Sequence, residues 1–252
     1  MSRELTFPGE LLARLTRFGR VHVLDTVTST NDVAFSLASN HEAAIVIARH
    51  QIRGRGRFRR PWYSDEDSLT FSVLLFKDAP GFPPAHLVTH VAGLALCLAI
   101  EQVAGLKPLI RWPNDIVHDD LKLAGILCEA RGSAIAIGVG LNVNQDGLPE
   151  HVPEAGSLRM VAGREQDRLA LLEQFISGMT SWLERVGKGE TPELWIKVKE
   201  RSAVLHRRVE VTTLLRRYVG VVSEVDVDGR IVLRTDAGRL VWFDSGQVRR
   251  LR

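Results

Sequence analysis

The sequence predicts an α+β protein with a small all-β unit near its C-terminal end. Short, apolar and partly β-branched runs at 44–48 (AIVIA), 69–76 (LTFSVLLF) and 134–139 (AIAIGV) have the length and composition of buried strands. Stretches between and after them carry helical periodicity instead. From Arg208 onward the texture changes to brief β-type runs broken by turn signals.

Thr28 to Asp32 (TSTND) opens the first helix, with Ser29 and Asp32 in capping-box spacing. The same helix start offers free N–H groups and hydroxyls to a polar ligand, so capping and binding both remain open. Ala85 to Val103 is the second helix, with Leu87, Val91, Leu94, Ala95, Leu98 and Val103 on a broad apolar face and Gly105 as its C-cap. A third runs from Arg168 to Val186 with the stripe Leu169, Leu172, Phe175, Ile176, Met179, Leu183 and Val186, which is plain core packing. A charged helical segment at Pro192 to Ser202 precedes the change of texture. The final runs, Val209–Val211, Tyr218–Val222, Ile231–Leu233 and Leu240–Phe243, are separated by Asp228-Gly229 and Asp236-Ala237-Gly238. A boundary at 200–207 is expected, giving domains 1–203 and 204–252.

The chain has 252 residues, 45% of them apolar, enough to bury a substantial core and to exclude disorder as the dominant state. A net charge of only +3 shifts attention from the total to its clustering. Cys97 and Cys128 are too few for a disulfide framework and read as reduced core residues. The N-terminal residues include Arg3, Glu4, Glu10, Arg14 and Arg17 in place of an apolar signal core, and Val91 to Ile100 is half of the roughly 20 residues that a membrane span needs. A soluble, cytoplasmic protein with no membrane partner is expected.

Beside the helix start at Thr28 to Asp32, four stretches carry candidate chemistry. In GRGRFRRPW, Gly54 to Trp62, the arginines 55, 57, 59 and 60 join Arg49 and Arg53 in a span, Ala43 to Ser64, without Asp or Glu. Such a loop repels itself and is expected to stay mobile until an anion neutralises it; guanidinium forks match phosphate oxygens, and Gly54 and Gly56 allow close backbone approach. A solvated loop or a non-specific nucleic-acid contact fits the composition equally. RWPND, Arg111 to Asp115, places Asn114 and Asp115 where a strand would end, or is an ordinary turn. KLAGILCEA puts Lys122 at the mouth of an apolar run, as a fixed cation or a solvated strand start. GVGLNVN lacks the third glycine and following helix of a dinucleotide fingerprint; Asn142 and Asn144 alternate and are expected on one side of the strand.

Taken in order, STN, HQIRGRGR, RWPND, KLAGIL and GVGLNVN resemble the motif series of biotin–protein ligases across Ser29 to Asn144. The resemblance implies a class II aminoacyl-tRNA-synthetase-like mixed sheet with flanking helices, plus a small C-terminal SH3-like β-barrel. It implies two steps: biotin's carboxylate attacks the α-phosphate of ATP to give biotinyl-adenylate and pyrophosphate, then a lysine of a biotin carboxyl carrier domain attacks the mixed anhydride. Bringing a carboxylate to a polyphosphate needs fixed cations and Mg²⁺, which explains the arginines.

By that resemblance, Ser29, Thr30, Asn31, Gln51 and the backbone from Gly54 through Arg55 and Gly56 to Arg57 hold biotin, with its tail along the strand at Gly125. Arg55, Arg57 and Arg60 meet phosphates or adenylate beside Trp62. Lys122 bridges carboxylate and α-phosphate, so Lys122 and Arg57 are the catalytic candidates; Asn114, Asp115 and Asn142 lie on the nucleotide side, with Asp115 and Asn142 offered to Mg²⁺. The family's usual loop has glycine where Arg59 stands and a basic or polar residue where Phe58 stands. No covalent enzyme intermediate is implied. With the first motif at Ser29, fewer residues precede it than the ~50 of a small DNA-binding domain, so no sequence-specific DNA binding is expected. The oligomer is left as monomer or homodimer. A lipoate–protein ligase shares the adenylation logic; a basic nucleic-acid module, poor in interleaved aromatics, is the rival from another class.

Overall fold

The computed structural model describes residues 14–213 and 216–251. Arg3, Glu4 and Glu10 lie outside that range. The strands β1 Arg20–Val27, β2 Ala44–Gln51, β3 Ser68–Phe76, β4 Leu109–Arg111, β5 Asp115–His118, β6 Leu121–Arg131 and β7 Ala134–Asn142 form one seven-stranded sheet in the order β1-β2-β3-β7-β6-β5-β4. Only β1 and β2 pair in parallel; the helix α1, Thr30–Leu37, lies between them in sequence. The three expected strands are β2, β3 and β7. The polar-rich β1 and the short β4 and β5 escaped prediction because they lack an apolar run.

Period-two alternation decides what each face does. Ile45, Ile47, Leu69, Phe71, Val73, Ile137, Val139 and Leu141 point into the main core under α2, Val88–Ala104, and α4, Arg168–Gly187. Phe71 meets Phe175 edge-on at 5.1 Å. On the opposite face, Ala44, Val46, Leu74 and Ala136 seal a smaller cluster beneath Ala34 and Phe35 of α1. Further along that face stand Thr70, Gly125, Gly138 and Gly140, and there the sheet is hollow. Gly105 ends α2 with φ +75°, as a C-capping glycine should. The helical stretch Ala85–Ala104 is long and apolar enough to cross a membrane, yet it is mostly buried as the core helix of the sheet.

The short helix α3, Leu158–Ala162, precedes α4, and α5, Thr191–Glu200, follows it. Five antiparallel strands then form a second sheet: β8 Arg208–Thr212, β9 Arg217–Val225, β10 Ile231–Thr235, β11 Leu240–Phe243 and β12 Gln247–Arg250. Their order, β11-β10-β9-β8-β12, leaves β11 and β12 as edges, so this sheet is open where a closed barrel was expected. The strand β12, rich in arginine, was not foreseen. Trp112 Nε1 donates to Gly229 O at 2.8 Å, and His90 packs edge-on against Trp195 beside the same glycine. The hairpin at 228–229 therefore sits in the face of the larger sheet's domain.

Candidate active site

Two cross-strand rows of small residues make the hollow. Gly125 pairs with Gly140, and Gly140 with Thr70; one row on, Leu127 pairs with Gly138, and Gly138 with Ser72. Trp62 lies over the first row: a Cβ at Gly140 would fall 2.3 Å from its indole ring. Asn31 covers the second, since a Cβ at Gly138 would meet its Oδ1 at 2.5 Å. The cavity that opens here has a volume of about 490 Å³, and every residue expected from sequence to bind a ligand, except Gly54, lines it. Gly54 stands just behind, with its carbonyl accepting from Trp62 N–H at 2.8 Å.

A buried polar network closes one end. Gln51 Oε1 accepts from the Thr30 N–H at 2.8 Å, and the Ser72 hydroxyl lies 2.7 Å from both Thr30 Oγ1 and Asn31 Oδ1. Asn31 Nδ2 donates to Glu129 at 2.7 Å. Ser29 is the N-cap of α1 but makes no side-chain cap bond, so the expected capping box does not form. Asp32 is engaged elsewhere. Among the described residues, Thr70 Oγ1 and Trp62 Nε1 are buried beside the cavity without a partner, an arrangement that suits groups awaiting a polar ligand.

The arginine loop corrects one expectation. Its charge is balanced, but from distant sequence: Arg55 forks onto Asp32 at 2.7 and 2.9 Å and reaches Glu129 at 3.0 Å, while Arg131 also meets Asp32 at 3.2 Å. The bond from Arg55 holds the Asp32 carboxyl below the usual carboxylate range, and Asp32 in turn raises Arg55 above an ordinary arginine. The loop has a defined path. Gly56 N–H donates to Arg60 O at 2.8 Å, and Arg57–Arg59 forms a 3-10 turn. Arg57 donates to Gly246 O at 3.2 Å and Arg60 to Gln247 Oε1 at 2.7 Å, both from the second sheet. Burial lowers Arg57 from the ordinary arginine value, offset in part by Asp115 and Asp244.

Lys122 begins β6, and its ammonium sits 2.6 Å from Asp115 Oδ1 and 5.4 Å from the centre of the Trp62 ring. The other Asp115 oxygen takes Arg111 at 3.2 Å. Asp115 is thus spent on two cations, and Asn142 Nδ2 donates to Gly156 O at 3.0 Å. That bond uses the Asn142 amide nitrogen and not its oxygen, and no group of three or more His, Cys, Asp or Glu side chains gathers among the described residues. Asn114 Nδ2 donates to Ile126 O at 2.7 Å and so ties the turn to β6. Asn144 departs from the expected pairing with Asn142: it bonds the backbone of Gln166, away from the cavity. Past the end of β7 the chain leaves the strand, and alternation no longer applies.

Sequence reading missed Thr70, Ser72, Glu129 and the cavity-lining stretch Gly246–Arg249. Thr70 and Ser72 were findable, as polar residues at period two inside the apolar run LTFSVLLF. Burial pushes Cys97 up to about 12 and Cys128 up to about 11, so neither thiol is an available nucleophile near neutral pH.

Residues 23–146 match the biotin/lipoate A/B protein ligase family. Over 99% of this chain and 96% of its own length, a biotin–[acetyl-CoA-carboxylase] ligase of Mycobacterium tuberculosis is 31% identical. The chain belongs to the biotin/lipoate A/B protein ligase family. The bifunctional ligase/repressor BirA of Bacillus subtilis is also 31% identical, over 92% of this chain and 77% of its own. Among solved structures of the family, the biotin protein ligase from Aquifex aeolicus in complex with biotin and ATP superposes with a TM-score of 0.82 at 24% identity, covering 92% of this chain and 99% of that one, a likeness of fold.

Proposed function

We propose that this chain is an ATP-dependent biotin–protein ligase that makes biotinyl-5'-adenylate and passes the biotinyl group to a lysine of a biotin carboxyl carrier domain. The observation that carries the reading is the position of Lys122. Its ammonium stands between a glycine-floored hollow closed by the Thr30–Asn31–Gln51–Ser72 network and a loop of arginines. The network supplies donors and acceptors for a cyclic urea, the apolar hollow under Trp62 takes the ring and tail, and Arg57 and Arg60 face a polyphosphate.

In the first step a biotin carboxylate oxygen bonds to the α-phosphorus while the bond from that phosphorus to the bridging oxygen of pyrophosphate breaks. Asp115 orients the Lys122 ammonium and leaves N–H donors for the oxygens on which charge concentrates. In the second, the acceptor amine attacks the acyl carbon, AMP departs and the amine releases its proton. Asp115 and Asn142, on the nucleotide side of the cavity, are the residues that would stand nearest a magnesium ion, which would supply screening of the phosphate charge. We read residues 1–203 as the catalytic domain and 204–252 as an SH3-like module, working in the cytoplasm. Lipoate, whose dithiolane ring has no urea, leaves the polar network unanswered.

ATP–pyrophosphate exchange tests the reading. Exchange is expected with biotin and not with lipoate or without an acid; exchange with lipoate alone moves the chain to the lipoate branch, and none with either acid removes the adenylation reading.

A further inference from the structure

We infer that the turn between β11 and β12 is the dock for the arginine loop, and that Phe58 and Gln247 are positioning residues that hold the loop closed over an acyl adenylate. The inference rests on the ligase reading for its substrate, though not for its geometry.

Two hydrogen bonds join the loop to this turn across separations of 189 and 187 residues, and an apolar cleft adjoins them. Arg57 donates to Gly246 O at 3.2 Å, and Arg60 donates to Gln247 Oε1 at 2.7 Å. Phe58 shares a cleft of about 370 Å³ with Tyr218, Trp242, Phe243 and Gly246 of the second sheet. Phe58 and Trp242 are half exposed and line one cleft, where an aromatic side chain finds more contact than in water.

The loop backbone needs such support. Phe58 and Arg59 both hold φ of +57°, a left-handed conformation that side-chain-bearing residues rarely adopt. Strained residues of this kind persist when their surroundings over-determine them. The dock is firm enough to do so. A Cβ at Gly246 would lie 3.2 Å from Val211 and 3.8 Å from Trp112, so the turn is packed against both its own sheet and the cavity wall. A glycine at 58 or 59 would relieve the backbone; here a phenylalanine and an arginine hold it against a fixed landing site. Contacts made by the protein itself lessen the share of binding free energy that a ligand must spend on holding the loop closed.

The test compares wild type with Gln247→Ala, Gln247→Glu and Phe58→Ala. Two readouts are taken: dissociation of biotinyl-adenylate after a single turnover, and tryptic cleavage within the loop of the ligand-free protein. Gln247→Ala and Phe58→Ala are each expected to release adenylate roughly 10-fold faster, in the range for losing one bond to a charged group, and to be cut faster after Arg57 and Arg59. Gln247→Glu, which still accepts from Arg60, is expected to restore both. The double variant should fall short of the product of the singles, because the two residues secure one element. Wild-type release and cleavage rates in both single variants would overturn the dock, as would failure of Gln247→Glu to rescue alongside a lowered unfolding temperature. If wild type forms no adenylate the ligase reading falls, and the cleavage comparison still decides the dock.

Discussion

The glycine floor and the arginine loop face each other across one cavity and are built on opposite plans. The floor is made by omission: Gly125, Gly138 and Gly140 lie in neighbouring rows of a hydrogen-bonded sheet, and backbone register alone fixes the space above them. The loop is made by attachment, held by Asp32 and Glu129 on one side and by Gly246 and Gln247 on the other. A surface set by the backbone admits almost no adjustment, whereas one set by side-chain contacts can open and reclose. On the proposed function, the floor would select the ligand and the loop would govern how long it stays.

The comparison is put under most strain at Lys122, where floor and loop meet. Lys122→Ala is expected to slow adenylate formation by about 10²-fold or more, in the range for a lost electrostatic stabiliser, measured in single-turnover pyrophosphate release. An unchanged rate would remove the lysine from the chemistry. A smaller effect is expected on the floor. In Gly140→Ala the new methyl group overlaps the Trp62 ring, which must shift; KM for biotin should rise about 10- to 100-fold, the cost of overpacking a tight site, with adenylate release little altered. Faster release in place of weaker biotin binding would merge the two plans into one.

The smallest effect belongs to the partly exposed ion pair. Asp32→Asn should speed adenylate release only about threefold, because pairs of this exposure contribute modestly. The sign with pH follows from its depressed carboxyl. The contribution of Asp32 is present above the unfolded carboxylate value near ~4 and is lost as pH falls through the lower folded value. Wild type should thus retain the pair from pH 7 to 5 while the variant lacks it throughout, and release measured at both pH values should show a constant ratio.

The same contrast explains what could be read from the chain. The strands at 44–48, 69–76 and 134–139 and the helices at 85–103 and 168–186 were legible because burial writes a local period into the sequence. Asn31, Gln51, Lys122 and Gly125 were expected through the resemblance of motifs that lie on regular elements, not through burial period. The loop was misjudged as unbalanced because its counter-charges sit 23 and 74 residues from Arg55. Composition counts neighbours in sequence, and Asp32 looked like a helix cap for the same reason. Gly246 and Gln247 were invisible on any local criterion, since their role exists only once the second sheet has docked.

That docking has a thermodynamic side. Val209, Val211, Val222, Ile231 and Leu233 of the second sheet belong to the same contiguous apolar cluster as Phe71, Leu94 and Leu141 of the first. Two sheets that share an interior share a free energy of unfolding, so neither loosens without exposing surface of the other. A substitution in the interior of the small sheet is then expected to lower the unfolding free energy of the whole molecule, the larger sheet and its cavity included.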